Sequence, residues 1–319
     1  MIEGFQSPEP GHTRDELCAL LRRELGSQVL ALTRVHLGVI NVVYTAQLGN
    51  GLECFVKVAP HGRGGHRLRE EVWAFERCRA VGVPTPEVLA FDPTQGFFPE
   101  PYHVTRRIPG ANGLQANLSR SDRVATLRQL GRFLALIHSI RLEGFGFLQP
   151  TAHGYIGQYP TLWENWASVL SGAPWWNQLL RDGLVVDDQV SAVRRRFEEH
   201  RTLFDTAQSC LVYADGGLKN LVVQGSRVVG LVDMENVVAA EAVNDFDALH
   251  YDSEEEFTAV CEGYGRPELF DAAFFRKLTL YRLLFAFPRL AFYHHRGNQT
   301  AVADTQRRIR DLEAKLAAS

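Results

Sequence analysis

The spacing of apolar residues changes along the chain, from strand-like runs near its start to helical stripes later. Thr13 and Glu16 form a capping box ahead of a leucine-rich stripe, which predicts a first helix. Short apolar runs typical of strands follow over 28–37, 41–48 and 53–59. A Gly-Asn-Gly turn separates the last two runs and predicts that they form a hairpin.

A second helix and a further strand complete the first part of the chain. Apolar residues at helical spacing over 68–75 predict the helix, which Pro84 ends because proline cannot continue it. The strand at 101–108 precedes a cluster of chain-breaking residues, Pro-Gly-Ala-Asn-Gly. We therefore expect two lobes, a small β-rich lobe at 1–108 and a mainly helical lobe at 109–319.

The second lobe is predicted to consist mostly of helices. Ser121 is a suitable cap for a helix whose apolar stripe comprises Val124, Leu127, Leu130, Leu134 and Ile137. His138 lies beside that stripe, so we expect it to pack in the core rather than bind a ligand. A helical core or a groove wall is the expected setting for Trp163, Trp166, Trp175 and Trp176. The stripe of the C-terminal helix comprises Ile309, Leu312 and Leu316.

A β-like segment interrupts these helices at 211–223, with the sequence LVYADGGLKNLVV. Two adjacent glycines break the strand pattern and open a loop that carries Asp215 and Asn220. A Gly-Ser turn and a second apolar arm follow, and that arm ends at Asp233. The segment is either a strand–turn–strand with a solvated loop or a catalytic loop.

Composition and charge narrow the classes of function. The chain has 319 residues, of which 45% are hydrophobic and 22% charged, a length and composition that suit a folded protein of two lobes. Its formal net charge of -3 argues against a nucleic-acid partner, which would require a basic face. The same charge is compatible with a small cationic partner.

Cysteine usage and hydropathy favour a cytoplasmic protein. The five cysteines are scattered, odd in number and without a C-x-x-C pair, so we predict neither disulfides nor a zinc site. We expect no signal peptide and no membrane partner, because the first residues are polar and no apolar run approaches about 20 residues. A monomer is the default expectation.

Five polar residues stand in the order that phosphoryl transfer requires. A carboxylate must orient the attacking hydroxyl, and Asp215 is the candidate. Asn220 and Asp233, thirteen residues apart, supply the hard oxygen ligands that Mg²⁺ prefers. Lys57 on an early strand and Glu71 on the following helix stand in the order of a phosphate-binding lysine and its acidic partner. Each feature alone is weak, but their joint order is much more specific.

With these motifs in place, the chain resembles the aminoglycoside phosphotransferase and choline-kinase-like superfamily, which is related to the protein kinases. The resemblance covers nearly the whole chain after the first helix. It is carried by YHVTRRIPG, GFGFLQP, GYIGQYPTLWENW, LVYADGGLKNLVV and VVGLVDMEN. Within the superfamily these motifs are most similar to those of the hygromycin B phosphotransferases. The resemblance implies an α+β, bilobal, protein-kinase-like fold with the nucleotide between the lobes.

The resemblance also implies cofactors and roles for individual residues. ATP is the implied phosphoryl donor, GTP is an open alternative, and Mg²⁺ is the implied metal. Lys57 would bind the α- and β-phosphates, and Glu71 is favoured over Glu70 as its partner because it lies thirteen residues before Pro84. The nucleotide loop would lie at 38–41 and include Asn41. Backbone groups of Val104, Thr105 and Arg106 would meet the adenine.

Three departures from the family pattern affect the expected activity. Tyr213 stands where the family has a histidine two residues before the base, and we expect activity to survive this change. Gly216 and Gly217 replace a bulkier pair and predict a more mobile loop or a roomier acceptor site. The nucleotide loop has no G-x-G-x-x-G motif, and relatives often lack it too. Nothing in the sequence explains Met234, which stands where relatives have an aromatic residue.

The acceptor site is predicted from the acidic residues that follow Asp233. Glu235, Glu241 and Asp245 are the candidates for binding ammonium groups of an aminoglycoside. The competing interpretation is a helix start with a solvated acidic face, since acids favour helix N-termini. The resemblance additionally implies a largely structural role for Asp245.

Three functions therefore remain open at this point. The first is ATP- and Mg²⁺-dependent O-phosphorylation of an aminoglycoside-type antibiotic such as hygromycin B. The second is phosphorylation of another small metabolite or a nucleoside-type antibiotic on the same fold. The third is a nucleotide-binding pseudokinase, which Tyr213 and the glycine pair suggest and the intact set of polar residues opposes.

Overall fold

The computed structural model describes residues 9–35, 40–60, 65–248 and 253–317. Five strands and two helices make up the first third of these residues and helices dominate the rest, as the α+β prediction required. No helix within these ranges is both long and apolar enough to cross a membrane. The proposed division into lobes at 1–108 and 109–319 remains a prediction.

The N-terminal region is built on an antiparallel sheet. Its strands have the order β1-β2-β3-β5-β4 and the bounds Val29–Val35 (β1), Val42–Leu48 (β2), Glu53–Val58 (β3), Val88–Asp92 (β4) and Tyr102–Arg106 (β5). β2 pairs with β3 across the Gly-Asn-Gly turn, which confirms the predicted hairpin. β3 also pairs with β5, so Lys57 lies opposite both Val43 and His103.

The two faces of this sheet serve different purposes. Helix α1 (Arg14–Leu25) covers one face, where Leu17 and Leu20 join a core with Val56 and Val104. Thr13 begins this helix with the predicted capping box, since its side chain accepts from Glu16 N–H. Helix α2 (Gly65–Ala80) approaches the opposite face, on which Lys57 lies.

The C-terminal region is mainly helical. Its helices are α3 (Arg120–Ile137), α4 (Leu162–Gly172), α5 (Pro174–Arg181), α6 (Asp187–Glu199), α7 (Val243–Ala248), α8 (Glu254–Tyr264), α9 (Ala272–His295) and α10 (Gln299–Ala317). Trp166 and Trp176 are buried in their shared core, as predicted, and Trp163 and Trp175 pack against it. Ala74, Phe75 and Cys78 of α2 belong to the same core, so α2 connects the sheet to the helices.

Two smaller sheets carry the segment that interrupts the helices. One sheet joins β11 (Arg227–Leu231), β10 (Leu221–Gln224) and β6 (Ala111–Asn112). The other joins β8 (Gly154–Tyr159), β7 (Phe145–Thr151), β12 (Val238–Ala240) and β9 (Cys210–Val212). β10 and β11 form the predicted second hairpin, whereas β9 and β10 belong to different sheets. The loop between β9 and β10 therefore crosses from one sheet to the other.

One local prediction was wrong, and one hairpin was missed. Ser119, not Ser121, caps α3, because its hydroxyl accepts from Asp122 N–H and the helix begins two residues earlier than predicted. The β7–β8 hairpin was not predicted as strands; it has irregular register and includes Pro150, which weakens any alternating pattern.

Helices α3 and α8 cross at two glycines. A Cβ atom at Gly263 would lie 1.8 Å from the carbonyl oxygen of Arg128, and one at Gly131 would lie 2.1 Å from that of Val260. Such distances are shorter than any van der Waals contact, so the two helices can approach this closely only without side chains at these positions.

We expect Gly263→Ala to lower the free energy of unfolding by at least ~1–3 kcal/mol, because the backbones must separate. Gly172→Ala is the matched control: a Cβ there has no neighbour within 4 Å, and alanine should stabilise the helix by about 0.5–1 kcal/mol. Urea unfolding followed by circular dichroism measures both. Equal stability of the two variants would contradict the close crossing.

Candidate active site

A largely buried lysine lies at the centre of the site. Lys57 Nζ contacts Oε1 of Glu71 at 2.9 Å and Oδ1 of Asp233 at 2.8 Å, and Oε2 of Glu235 lies 3.6 Å away. Burial disfavours the charged form of this lysine, but the three carboxylates raise its pKa above the ordinary value. One ammonium group is therefore shared among three acids that come from two distant parts of the chain.

Helix α2 supplies the acid that pairs with Lys57. Both oxygens of Glu71 accept from the lysine, Oε2 also contacts the His103 ring at 2.9 Å, and Oε1 accepts from Met234 N–H at 3.1 Å. Burial alone would raise the pKa of Glu71, but Lys57 and His103 lower it to about 2. Of the two adjacent glutamates, Glu71 is thus the partner of the lysine, the choice that its spacing from Pro84 favoured.

The segment that carries Asp233 is tied to the loop before it. Val232 N–H donates to the carbonyl of Asn220 at 3.0 Å, and the Tyr213 hydroxyl donates to the carbonyl of Val232. Asp233 itself has a positive φ of 62° and a side chain that is 42% exposed. This turn directs the carboxylate towards Lys57 while leaving part of it open.

The predicted base lies on the same loop, in a network of its own. Asp215 Oδ1 accepts from Lys219 Nζ at 2.5 Å, and Oδ2 accepts from Asn220 Nδ2 at 3.0 Å. Asn220 Nδ2 also donates to the Asp215 carbonyl at 2.9 Å. The structure therefore brings Asp215 and Asn220 together, and it adds Lys219, which the sequence analysis did not single out.

Asp245 fixes the backbone directly ahead of the base. Its Oδ1 accepts from Ala214 N–H at 2.7 Å, and its Oδ2 accepts from Tyr213 N–H at 2.9 Å and contacts His138 Nε2 at 2.8 Å. Ala214 has a positive φ of 59°, a conformation that costs a non-glycine residue energy and requires such support. Asp245 is fully buried, so it holds the loop and does not line an acceptor site.

The backbone conformation of this loop explains its glycine pair. Gly217 has a φ of 149° and both glycines are buried, so the loop is enclosed at this point rather than open. A side chain at Gly217 would be strained in that conformation. The glycine pair therefore gives the loop its shape, and the expectation of a more mobile loop finds no support in this burial.

Glu235 also lies away from any open acceptor surface. It is buried and accepts a hydrogen bond from the amide of Asn41, at the end of the predicted nucleotide loop. Burial raises the pKa of Glu235, Lys57 opposes this shift, and Asp233 adds to it. Residues 38 and 39 of the predicted nucleotide loop lie outside the described residues. The structure thus joins Asn41 to the Lys57 cluster through Glu235.

Most of the acidic residues that follow Asp233 are paired with other side chains of the protein. Glu241 is buried, where it accepts from Lys277 at 2.6 Å and from the Tyr281 hydroxyl. Asp247 pairs with Arg289 at 2.9 Å. The remaining paired acids, each bridged to an arginine of α3, are Glu255 and Glu256. Glu241 and Asp245 therefore do not present free carboxylates to a cationic acceptor, which contradicts their prediction as acceptor residues.

The predicted adenine-binding backbone is partly occupied as well. Arg106 N–H donates to the carbonyl of Glu87, and Arg107 N–H donates to the carbonyl of Glu53. Thr105 lies opposite Phe55, on the face of the sheet that carries Lys57. Val104 instead faces the core beneath α1. Contact with the adenine through these residues stays a prediction.

The oxygen atoms of Asn220 and Asp233 fit a Mg²⁺ ion. Because Asn220 Nδ2 is bound to Asp215, its amide oxygen is the atom available to a cation. Asp233 uses Oδ1 for Lys57 and keeps Oδ2. Both are hard ligands of the kind that Mg²⁺ prefers. Within the described ranges no group of three or more His, Cys, Asp or Glu residues is arranged to hold a metal ion.

A β-rich region over a helical one, with an ion-paired lysine beside an Asp-x-x-x-x-Asn loop, defines a phosphotransferase of the protein-kinase-like class. The profile of the phosphotransferase enzyme family matches residues 31–293, which is more than half of the chain. The chain therefore belongs to the phosphotransferase enzyme family, and the prediction of that superfamily is confirmed.

Solved structures of aminoglycoside phosphotransferases share this fold. A thermostable mutant of aminoglycoside phosphotransferase APH(4)-Ia, in a ternary complex with ADP and hygromycin B, has a TM-score of 0.70 at 17% identity and covers 95% of this chain and 99% of that chain. The complex of APH(2″)-IIa with gentamicin has a TM-score of 0.65 at 17% identity, covering 93% and 96%. These likenesses confirm the predicted bilobal, kinase-like fold.

The support that Asp245 gives the loop can be tested by Asp245→Asn. The amide oxygen can replace only one of the two carboxylate oxygens, and the NH₂ group then faces a donor without accepting from it, so we expect a loss of ~2–4 kcal/mol in unfolding free energy and a fall in turnover. Glu262→Gln, the same chemical change in an exposed ion pair with Arg128, should stay within about 0.5 kcal/mol of wild type. Chemical denaturation would overturn the assignment if both variants matched wild type.

Glu70 provides a test of pH dependence. Burial raises the pKa of Glu70 from an ordinary 4.5 to about 7, although Arg67 opposes the shift. Between these values the folded protein keeps a proton that the unfolded chain has lost, so stability falls as the pH rises through that window. Glu70→Gln cannot ionise, so its free energy of unfolding should not show this fall. Relative to wild type, that free energy should rise by up to ~3 kcal/mol between pH 4 and pH 8. Urea unfolding at both pH values, with the exposed Glu76→Gln as the control, should reveal the gain in Glu70→Gln alone.

Proposed function

We propose that the protein transfers the γ-phosphoryl group of ATP to a hydroxyl group of an aminoglycoside-type antibiotic, with hygromycin B as the first candidate. The observation that carries this proposal is the link between two networks, Lys57–Glu71–Asp233 and Asp215–Asn220, through the Val232 backbone. Phosphoryl transfer needs these two parts side by side, one for the phosphates and one for the acceptor. The APH(4)-Ia complex with ADP and hygromycin B supports the choice of acceptor.

Each residue has a defined task in this proposal. Lys57, oriented by Glu71, binds phosphate oxygens, and Asp215 orients the acceptor hydroxyl and takes its proton. Asn220 and Asp233 would hold Mg²⁺, which supplies positive charge for the phosphates when bound. The rate gain comes from positioning and electrostatics rather than from a covalent intermediate. ATP and GTP both satisfy this scheme, because the contacts proposed for the purine ring of the nucleotide are made by backbone groups.

A second candidate acceptor is a less cationic hydroxylated molecule, such as a nucleoside-type antibiotic or a metabolite. The observation that favours it is the pairing of Glu241 with Lys277 and of Asp247 with Arg289, which neutralises acids that a polycation would need. A cationic acceptor would then depend on acids elsewhere in the chain. The two candidate acceptors differ in their positive charge, so a panel of charged and neutral compounds can distinguish them.

We expect one compound of a mixed panel to gain the mass of one phosphate after incubation with the protein, Mg²⁺ and ATP. The panel contains hygromycin B, gentamicin, streptomycin, nucleoside antibiotics and neutral sugars, and mass spectrometry reads every acceptor in parallel. Phosphate on an aminoglycoside supports the first candidate, and phosphate on a neutral compound supports the second. Bound nucleotide with no phosphorylated acceptor anywhere would count against both.

Asp215→Ala is the variant that connects this activity to the site. Loss of the group that orients the hydroxyl should lower turnover by about 10²–10⁴-fold without unfolding the protein. Asp311→Ala, at an exposed position of α10, is the matched control and should keep full turnover. Full turnover of Asp215→Ala would remove this residue from the role of base.

A further inference from the structure

We propose that Lys219 is a catalytic residue that binds the γ-phosphoryl group and that rests on the base Asp215 when no nucleotide is bound. The inference depends on the proposed function of the loop and names one more residue in it. Lys219 is four residues after Asp215 and directly precedes Asn220, on the 3₁₀ turn Leu218–Asn220.

The first observation is that each carboxylate oxygen of Asp215 accepts one hydrogen bond from a neighbour on the same loop. Lys219 Nζ lies 2.5 Å from Oδ1, and Asn220 Nδ2 lies 3.0 Å from Oδ2. An acceptor hydroxyl must hydrogen-bond to one of these oxygens before it can be deprotonated. Asn220 is buried, whereas the side chain of Lys219 is 40% exposed, so Lys219 is the group that can leave. Lys219 Nζ can therefore move from Oδ1 to a phosphoryl oxygen while Asn220 keeps its contact with Oδ2.

The second observation is that the backbone of this turn is held in place. The Asn112 side-chain amide donates to the carbonyl of Lys219, and Gly113 N–H donates to the carbonyl of Leu221 at 2.9 Å. A Cβ at Gly113 would lie 2.6 Å from the carbonyl oxygen of Leu218, so only glycine permits this approach. The chain-breaking cluster at 109–113 thus forms a platform beneath the turn. The Lys219 side chain can move while its backbone stays fixed.

The third observation concerns the distribution of positive charge. Lys57 is held by Glu71 and Asp233, on the side of the site proposed for the nucleotide phosphates. Among the ion pairs of the described residues, the one that involves Asp215 is made by Lys219. The transferred phosphoryl group must pass next to Asp215, and a fixed cation there stabilises the charge on its oxygens in the transition state. Lys219 is positioned to supply that cation once it releases the base.

Nucleotide binding tests this inference without any acceptor. A residue that contacts only the γ-phosphoryl group should discriminate between AMP-PNP and ADP in the presence of Mg²⁺. We expect Lys219→Met to weaken AMP-PNP binding by about 5–20-fold and to leave ADP binding unchanged, as for one lost charge-assisted hydrogen bond. Lys315→Met, at an exposed position of α10, should change neither affinity. Isothermal titration calorimetry measures all of these.

Turnover provides the second readout. With the acceptor found in the panel, Lys219→Met should lower kcat by about 10²–10³-fold with little change in the KM of the acceptor. Lys219→Arg should recover part of kcat, because it keeps the charge. Equal loss of AMP-PNP and ADP affinity, or unchanged selectivity between them, would overturn the inference. Failure of the proposed function would give a different result, because the wild-type protein itself would then phosphorylate no acceptor.

Discussion

The structure depends on one ammonium group placed among three carboxylates. Lys57 comes from β3, Glu71 from α2, and Asp233 and Glu235 from the segment after β11. Removing the lysine would leave buried or half-buried acids facing one another, which is far more costly than losing a surface ion pair. The same cluster holds one ammonium group and three carboxylates, so a triphosphate would enter it more favourably together with additional cations. This charge balance supports the proposed Mg²⁺ beside Lys57.

Local chemistry made much of the fold predictable. The capping box of Thr13 and Glu16, the Gly-Asn-Gly turn and the proline that follows α2 each act within a few residues, and each gave the correct element. Ser119 and Ser121 show the limit of such signals, because either hydroxyl could cap a helix and only the packed structure selects one. The β7–β8 hairpin had no comparable signal, since its register is irregular.

Non-local partners explain why the candidate site was predicted less completely than the fold. The order of Lys57, Glu71, Asp215, Asn220 and Asp233 along the sequence corresponds to two networks that meet in space. The acids after Asp233 gave no such information, because a carboxylate in a sequence does not reveal its partner. Lys277 and Tyr281 lie 36 and 40 residues beyond Glu241, and they occupy it fully. An acidic run thus predicted an acceptor surface where the fold has placed internal ion pairs.

The unusual tyrosine ahead of the base is best understood through the group that it contacts. The hydroxyl of Tyr213 donates to the Val232 carbonyl and so connects the catalytic loop to the residue before Asp233. Burial, together with the nearby carboxylates of Asp233 and Asp215, raises the pKa of Tyr213 well above its ordinary value, so the hydroxyl keeps the proton that it donates. A neutral ring with one fixed donor is what this position requires, and tyrosine supplies it as an imidazole N–H would. Tyr213 therefore connects the loop of the proposed base to the residue before the proposed metal ligand Asp233, and this contact opposes the interpretation of the protein as an inactive scaffold.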